Sequence, residues 1–216
     1  MFLPRLRALI DYDALAGVLA GGEEATTDAV AAYEEALRAR LGAARVYALS
    51  SARGALALGL KLLGIGRGDD VAIPALTCSA VADAVLSLGA VPHLVDVAPR
   101  HFGIDPHSLR RVLARGRTRA IVTAPLFGVV PPAAEVAPLL AGHGVPLLED
   151  IAQSFGSAAA GRPAGSTAPL AVLSTNYDKP YTTGRGGALV VNEPALVAKA
   201  DELVARLAVQ SGAAAE

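Results

Sequence analysis

Short apolar runs alternate along the chain with longer stretches in which apolar residues recur every three or four positions, a pattern that predicts strands alternating with helices. Residues 25–41 place Val30, Tyr33, Leu37 and Leu41 at helical spacing, with Thr26, Thr27 and Asp28 as candidate caps. Arg45–Leu49 reads as a strand, and Ser50-Ser51-Ala52-Arg53-Gly54 turns directly into an apolar helix over 55–63, which Gly64, Gly66 and Gly68 end. A strand at 71–74 then precedes a helix near 79–88, and a strand at 92–97 leads to a helix capped by Asp105 and begun by Pro106. Strands at 119–124 and 146–149 bracket a helical run over 133–143. Two more apolar runs, 170–173 and 188–191, flank a polar segment, and 194–207 reads as a last helix.

This order implies a three-layer αβα sandwich: a mostly parallel sheet covered by helices on both faces, with ligands bound beyond the carboxyl ends of the strands. The pattern divides the chain into an N-terminal segment at 1–24, one domain over 25–207, and a disordered or truncated tail at 208–216.

Composition narrows the partners. The chain has 216 residues and a net charge of −1, and it lacks the clustered basic excess that a nucleic-acid or acidic-membrane surface would need. Asp11 and Asp13 interrupt the apolar N-terminus, and no uncharged run is long enough to span a bilayer, so neither a signal peptide nor a membrane anchor is expected. The single cysteine, Cys78, excludes an internal disulfide and fits a reduced, cytoplasmic protein. His93, His101, His107 and His143 lack metal-ligand spacing, so no metal site is expected.

Three strand ends carry chemistry. The Ser51-Ala52-Arg53 turn leaves a strand and opens a helix, where free backbone N–H groups and the helix dipole can hold a phosphate. Glu149-Asp150 puts a carboxylate at the end of the strand that follows 133–143, with Gln153 three residues on. Lys179, one of only three lysines, sits in the polar segment between the last two apolar runs, five residues after Ser174. A phosphate cradle, an acid and a lysine at the ends of different strands are the set that pyridoxal 5′-phosphate requires: an amine for its aldehyde, an anion for its pyridine nitrogen, and a site for its phosphate. A nicotinamide enzyme is disfavoured, because Gly64-Ile65-Gly66-Arg67-Gly68 follows a helix rather than a strand and no GxGxxG follows Leu49.

The motifs LEDIAQS at 148–154, with Gly161-Arg162 and Gly165-Ser166 after them, then Ser174, Lys179 and TTGRGG at 182–187, resemble the DegT/DnrJ/StrS family of pyridoxal-phosphate-dependent sugar aminotransferases. Residues 51–58, 73–97 and 103–106 resemble that family's phosphate turn, its strand ending in GAxPxxVDV, and its NIDP turn. The resemblance implies a role for each matching residue. Lys179 would bond the cofactor, Asp150 would pair with its pyridine nitrogen, and Gln153 would face its ring oxygen. Ser174 and the turn of Ser51, Ala52 and Arg53 would hold its phosphate. Cys78 stands where the family usually has an aromatic ring stacked on the cofactor.

The resemblance also implies transfer of an amino group from glutamate or glutamine to a nucleotide-linked keto sugar, with Lys179 favouring transfer over the dehydration run by relatives that carry histidine there. It further implies a homodimer. The family continues into a smaller C-terminal domain, and this sequence resembles the large domain alone. Two other arrangements follow from that: a separate chain supplying the small domain, or a catalytically deficient cofactor-binding homologue serving as a regulatory or assembly subunit.

Overall fold

A computed structural model describes residues 26–131 and 135–213, and within them the alternation of strands and helices is present. The chain runs α1 (Thr26–Leu41), β1 (Arg45–Leu49), α2 (Ala52–Leu62), β2 (Asp70–Pro74), α3 (Ser79–Ser87), β3 (Val91–Val95) and α4 (Pro106–Leu113). It continues through β4 (Thr118–Thr123), α5 (Ala137–His143), β5 (Leu147–Asp150), the two-residue strands β6 (Ala158–Ala159) and β7 (Arg162–Pro163), β8 (Leu170–Ser174) and β9 (Gly187–Val191). A 3-10 turn (Pro194–Leu196) then leads into α6 (Val197–Ala213).

Seven strands make one sheet in the order β1-β9-β8-β5-β4-β2-β3. Pairing is parallel from β8 to β3, and β9 is antiparallel to both β8 and β1. The reversal has a simple cause: only residues 175–186 join β8 to β9, and they form no crossover helix, so the chain must turn back on itself. Because β9 opposes both its neighbours, β1 is parallel to β8. The carboxyl ends of β1, β2, β4, β5 and β8 therefore share one edge with the amino end of β9.

The apolar runs are continuous because both faces are covered, and successive residues go to opposite layers. Leu170, Val172, Leu189 and Val191 pack with Leu56, Leu60 and Val85 of α2 and α3. Their neighbours Ala171, Leu173, Ala188 and Val190 pack with Leu37 and Leu41 of α1, while Ala72 and Ile121 meet Leu109 and Val112 of α4. The result is the three-layer αβα sandwich with a mostly parallel sheet. Glycine permits the closest approach: a Cβ on Gly59 of α2 would lie 3.2 Å from Leu148 and 3.3 Å from Leu189, so α2 lies directly on β5 and β9.

Some boundaries differ from those the sequence pattern predicts. Helix α2 begins at Ala52 rather than 55, because Ser51 caps it by accepting the N–H of Gly54 at 3.1 Å. Helix α5 spans Ala137–His143 rather than 133–143, with a proline in its first turn marking the start. Residues 133 and 134 of that prediction lie outside the described residues, as does the segment 1–24. The last helix continues to Ala213, past the expected end at Leu207, and residues 214–216 lie outside the described residues. No helix among the described residues is long and apolar enough to cross a membrane.

One contact fixes the edge that carries the chemistry. A Cβ on Gly187, the first residue of β9, would lie 2.5 Å from the backbone nitrogen of Ala52 and 2.7 Å from the carbonyl oxygen of Leu173. Both are backbone atoms that cannot swing aside. Gly187→Ala should therefore lower the unfolding free energy by about 3 kcal/mol, the upper end of overpacking costs, seen as a reduced urea midpoint. An unchanged midpoint would show that α2 and β9 separate easily.

Candidate active site

A cavity of about 460 Å³ opens at the shared carboxyl edge. Its wall combines Ser51, Ala52 and Arg53 after β1, Cys78 at the start of α3, Asp150 and Gln153 after β5, and Ser174 and Lys179 at and after β8. Every candidate residue named from the sequence lines this one cavity.

The turn at Ser51 is a helix start held open by its own cap. Its hydroxyl takes up the Gly54 N–H, which leaves the first-turn N–H groups of Ala52 and Arg53 without helical acceptors. The Arg53 side chain contributes less than its charge suggests. It is mostly exposed and lies 3.5 Å from Asp83, so the backbone of this turn, rather than the guanidinium, faces the cavity unengaged.

Glu149 and Asp150, adjacent in sequence, are separated by strand alternation. Glu149 is tied to the turn behind the strand, accepting the Thr167 hydroxyl at 2.8 Å and the N–H groups of Thr167 and Ala168 at 3.2 Å each. Asp150 lines the cavity at only 7% exposure, and its Oδ1 accepts the Ala152 N–H at 3.0 Å. Its Oδ2 accepts no hydrogen bond among the described residues. Burial pushes this carboxyl up to about 6, with the Ala152 N–H and the Lys179 ammonium acting in the opposite direction. A buried carboxylate with one open oxygen is what a cationic heterocycle would complete.

Lys179 is held by a loop that threonines close. The Thr182 hydroxyl donates to the Thr175 carbonyl at 3.0 Å, the Thr183 N–H donates to the same carbonyl at 3.1 Å, and the Gly184 N–H donates to the Thr182 hydroxyl at 2.9 Å. This explains the TTG sequence: two hydroxyls and a glycine draw the ends of the loop together. Tyr181 stacks on Tyr33 of α1 with ring centroids 6.5 Å apart, which anchors the same loop to the neighbouring layer. The Lys179 side chain is 14% exposed, and its amine donates to Asp178 at 3.1 Å. Asp178 was missed in the sequence reading. A carboxylate beside a lysine is too common to be a signal, and only the loop turns the two side chains toward each other.

Gln153 is positioned from both ends. Its carbonyl accepts the Gly128 N–H at 3.0 Å, and its side-chain Oε1 lies 3.5 Å from the Phe127 N–H, which leaves its amide hydrogens to the cavity. Ser174 is buried, with its hydroxyl 3.5 Å from the Asn176 N–H. Cys78 is exposed and makes no side-chain capping bond at the start of α3. The donor set of this cavity fits pyridoxal 5′-phosphate: an amine, a buried acid with a free oxygen, and open backbone N–H groups for a phosphate. None of the four histidines lines this cavity. Buried His101, for example, accepts the Gly103 N–H at 3.1 Å and faces Glu135 at 3.1 Å. Among the described residues no cluster of His, Cys, Asp and Glu is placed to hold a metal.

The family model for the DegT/DnrJ/EryC1/StrS aminotransferase family matches residues 10–211. An L-glutamine:scyllo-inosose aminotransferase of Streptomyces griseus is 36% identical over 162 residues, which are 75% of this chain and 38% of that protein. A GDP-perosamine synthase of Caulobacter vibrioides is 34% identical over 167 residues, which are 77% of this chain and 45% of that one. The crystal structure of a 3-amino-5-hydroxybenzoic acid synthase superposes with a TM-score of 0.79 at 30% identity, covering 88% of this chain and 50% of that one. The chain thus spans half or less of the length of these relatives.

Proposed function

The chain belongs to the DegT/DnrJ/EryC1/StrS aminotransferase family, and we propose that it binds pyridoxal 5′-phosphate in this cavity to move an amino group from glutamine or glutamate to a nucleotide-linked keto sugar. The observation that carries the reading is the convergence on one cavity of the Lys179 amine, the buried Asp150 carboxyl and the open first turn of α2. When bound, the cofactor supplies an electron sink for the amino acid's α-carbon.

The chain's own groups supply the rest. Asp150 Oδ2 would accept a hydrogen bond from the protonated ring nitrogen of the cofactor and so favour its cationic form. The N–H groups of Ala52 and Arg53, with the hydroxyls of Ser51 and Ser174, would hold the phosphate. The Gln153 amide would donate to the ring oxygen, and Cys78 would stand beside the ring. The Lys179 amine would hold the cofactor's aldehyde end and, when free, would serve as the base for the donor's α-proton. Asp178 Oδ2, which accepts from the Lys179 amine at 3.1 Å, would keep that amine within the cavity.

Two relatives, one named for scyllo-inosose and one for GDP-perosamine, support a ketone of the sugar or cyclitol class as acceptor. The nucleotide-linked ketone is the acceptor proposed for this chain. The working form is a cytoplasmic homodimer. Incubation of the protein with pyridoxal phosphate, isotope-labelled glutamine or glutamate, and nucleotide-linked keto sugars or ketocyclitols tests the reading. The expected product is a labelled amino sugar still joined to its nucleotide. Label in the cyclitol alone would replace the proposed acceptor, and no label in any ketone would overturn amino transfer.

A further inference from the structure

The cavity holds more positive charge than its reading uses. Three cations line it: Arg53, Lys179 and Arg185. Arg53 lies 3.5 Å from Asp83, and Lys179 lies 3.1 Å from Asp178. The guanidinium of Arg185 has no hydrogen bond or ion pair among the described residues. The remaining acid of the wall, Asp150, is assigned to the cofactor's ring nitrogen, so Arg185 is left as the uncompensated charge.

Its backbone, in contrast, is closely fixed. The hydroxyls of Thr183 and Thr175 lie 2.9 Å and 3.3 Å from the Arg185 carbonyl. The next residue, Gly186, has φ +126°, a conformation closed to other residues, and a Cβ there would lie 2.9 Å from the Thr175 hydroxyl. After it, Gly187 passes so close to Ala52 that an added Cβ would lie 2.5 Å from that residue's nitrogen. The chain thus carries Arg185 to the first turn of α2, where open N–H groups already favour an anion. A ligand in the cavity is indicated independently, because Asp150, 7% exposed, lines it with an oxygen that accepts no hydrogen bond.

We infer that Arg185 is the side-chain cation of a phosphate-ester site at the rim of this cavity, an assignment that rests on the cofactor reading above. The phosphate ester has two possible sources, the cofactor itself and the diphosphate of a nucleotide-linked acceptor. A planar guanidinium with paired donors suits either one.

Equilibrium titrations separate these sources without measuring turnover. Wild type, Arg185→Gln and Arg185→Lys would each be titrated by absorbance with pyridoxal 5′-phosphate and with unphosphorylated pyridoxal. The cofactor-loaded proteins would then be titrated with a nucleoside diphosphate, and circular dichroism would check the fold of each variant. If the cofactor is the source, Arg185→Gln weakens pyridoxal phosphate about tenfold, leaves pyridoxal unchanged, and is partly rescued by lysine, as expected on losing a charge-assisted hydrogen bond. If the acceptor is the source, the tenfold loss falls on the nucleoside diphosphate instead. Wild-type affinities for both phosphate compounds in a folded Arg185→Gln protein would overturn the role of Arg185 and leave the cofactor reading intact. A wild-type protein that binds neither pyridoxal phosphate nor pyridoxal would overturn both.

Discussion

Lys179→Ala should abolish amino transfer, lowering kcat by at least about 10²- to 10⁴-fold, the share that a positioned general base alone supplies. The same variant should lose the cofactor label that borohydride fixes on the wild-type chain, a label that peptide mapping should place at residue 179. The prediction follows from the loop. Threonine hydroxyls close it at Thr175, aromatic stacking anchors it at Tyr181, and the amine it presents is the only lysine amine lining the cavity. Lys179→Arg separates charge from chemistry. Arginine would keep the cation near Asp150, but a guanidinium cannot be deprotonated to serve as nucleophile or base. That variant should be as inactive as the alanine one while still binding pyridoxal phosphate non-covalently. Normal turnover by either variant would refute the role given to Lys179.

The residues that line this cavity were legible in the sequence because each stands where a periodic pattern stops. Glu149-Asp150 follows an apolar run, Ser51 separates a strand from a helix, and Lys179 lies between two short apolar runs that read as buried strands. How they act was less legible. Strand alternation sends Glu149 to Thr167 and Asp150 to the cavity, yet nothing in the Glu149-Asp150 pair says which carboxyl goes where. The direction of β9 depends on a connection without a helix, which a count of apolar runs does not reveal. The hairpin of β6 and β7 was invisible because two-residue strands are too short to show alternation. Arg53 and Arg185 could not be told apart as charges, since the difference lies in Asp83 of α3, which pairs with Arg53 and not with Arg185.

Asp150→Asn should make the cofactor-free protein more stable at neutral pH while removing its activity. In the folded chain burial raises the Asp150 pKa to about 6, against 3.8 for the ordinary carboxyl. Between those two values the folded form holds a proton that the unfolded chain has released, so stability falls as pH rises through the window, and the full penalty is present above it. Two pKa units correspond to roughly 3 kcal/mol, an upper figure here because the asparagine amide brings its own buried hydrogens. Urea unfolding of both proteins without cofactor should therefore show the variant ahead at pH 7.5 and the gap shrinking toward pH 4. Pyridoxal phosphate should reverse the order. A protonated ring nitrogen gives the wild-type carboxylate the partner it lacks, and the neutral amide cannot answer that charge. Burial of the Asp150 carboxylate would thus favour a cation in the cavity. A variant less stable than wild type at pH 7.5, or a gap that does not change with pH, would show that Asp150 is not held as an uncompensated buried acid.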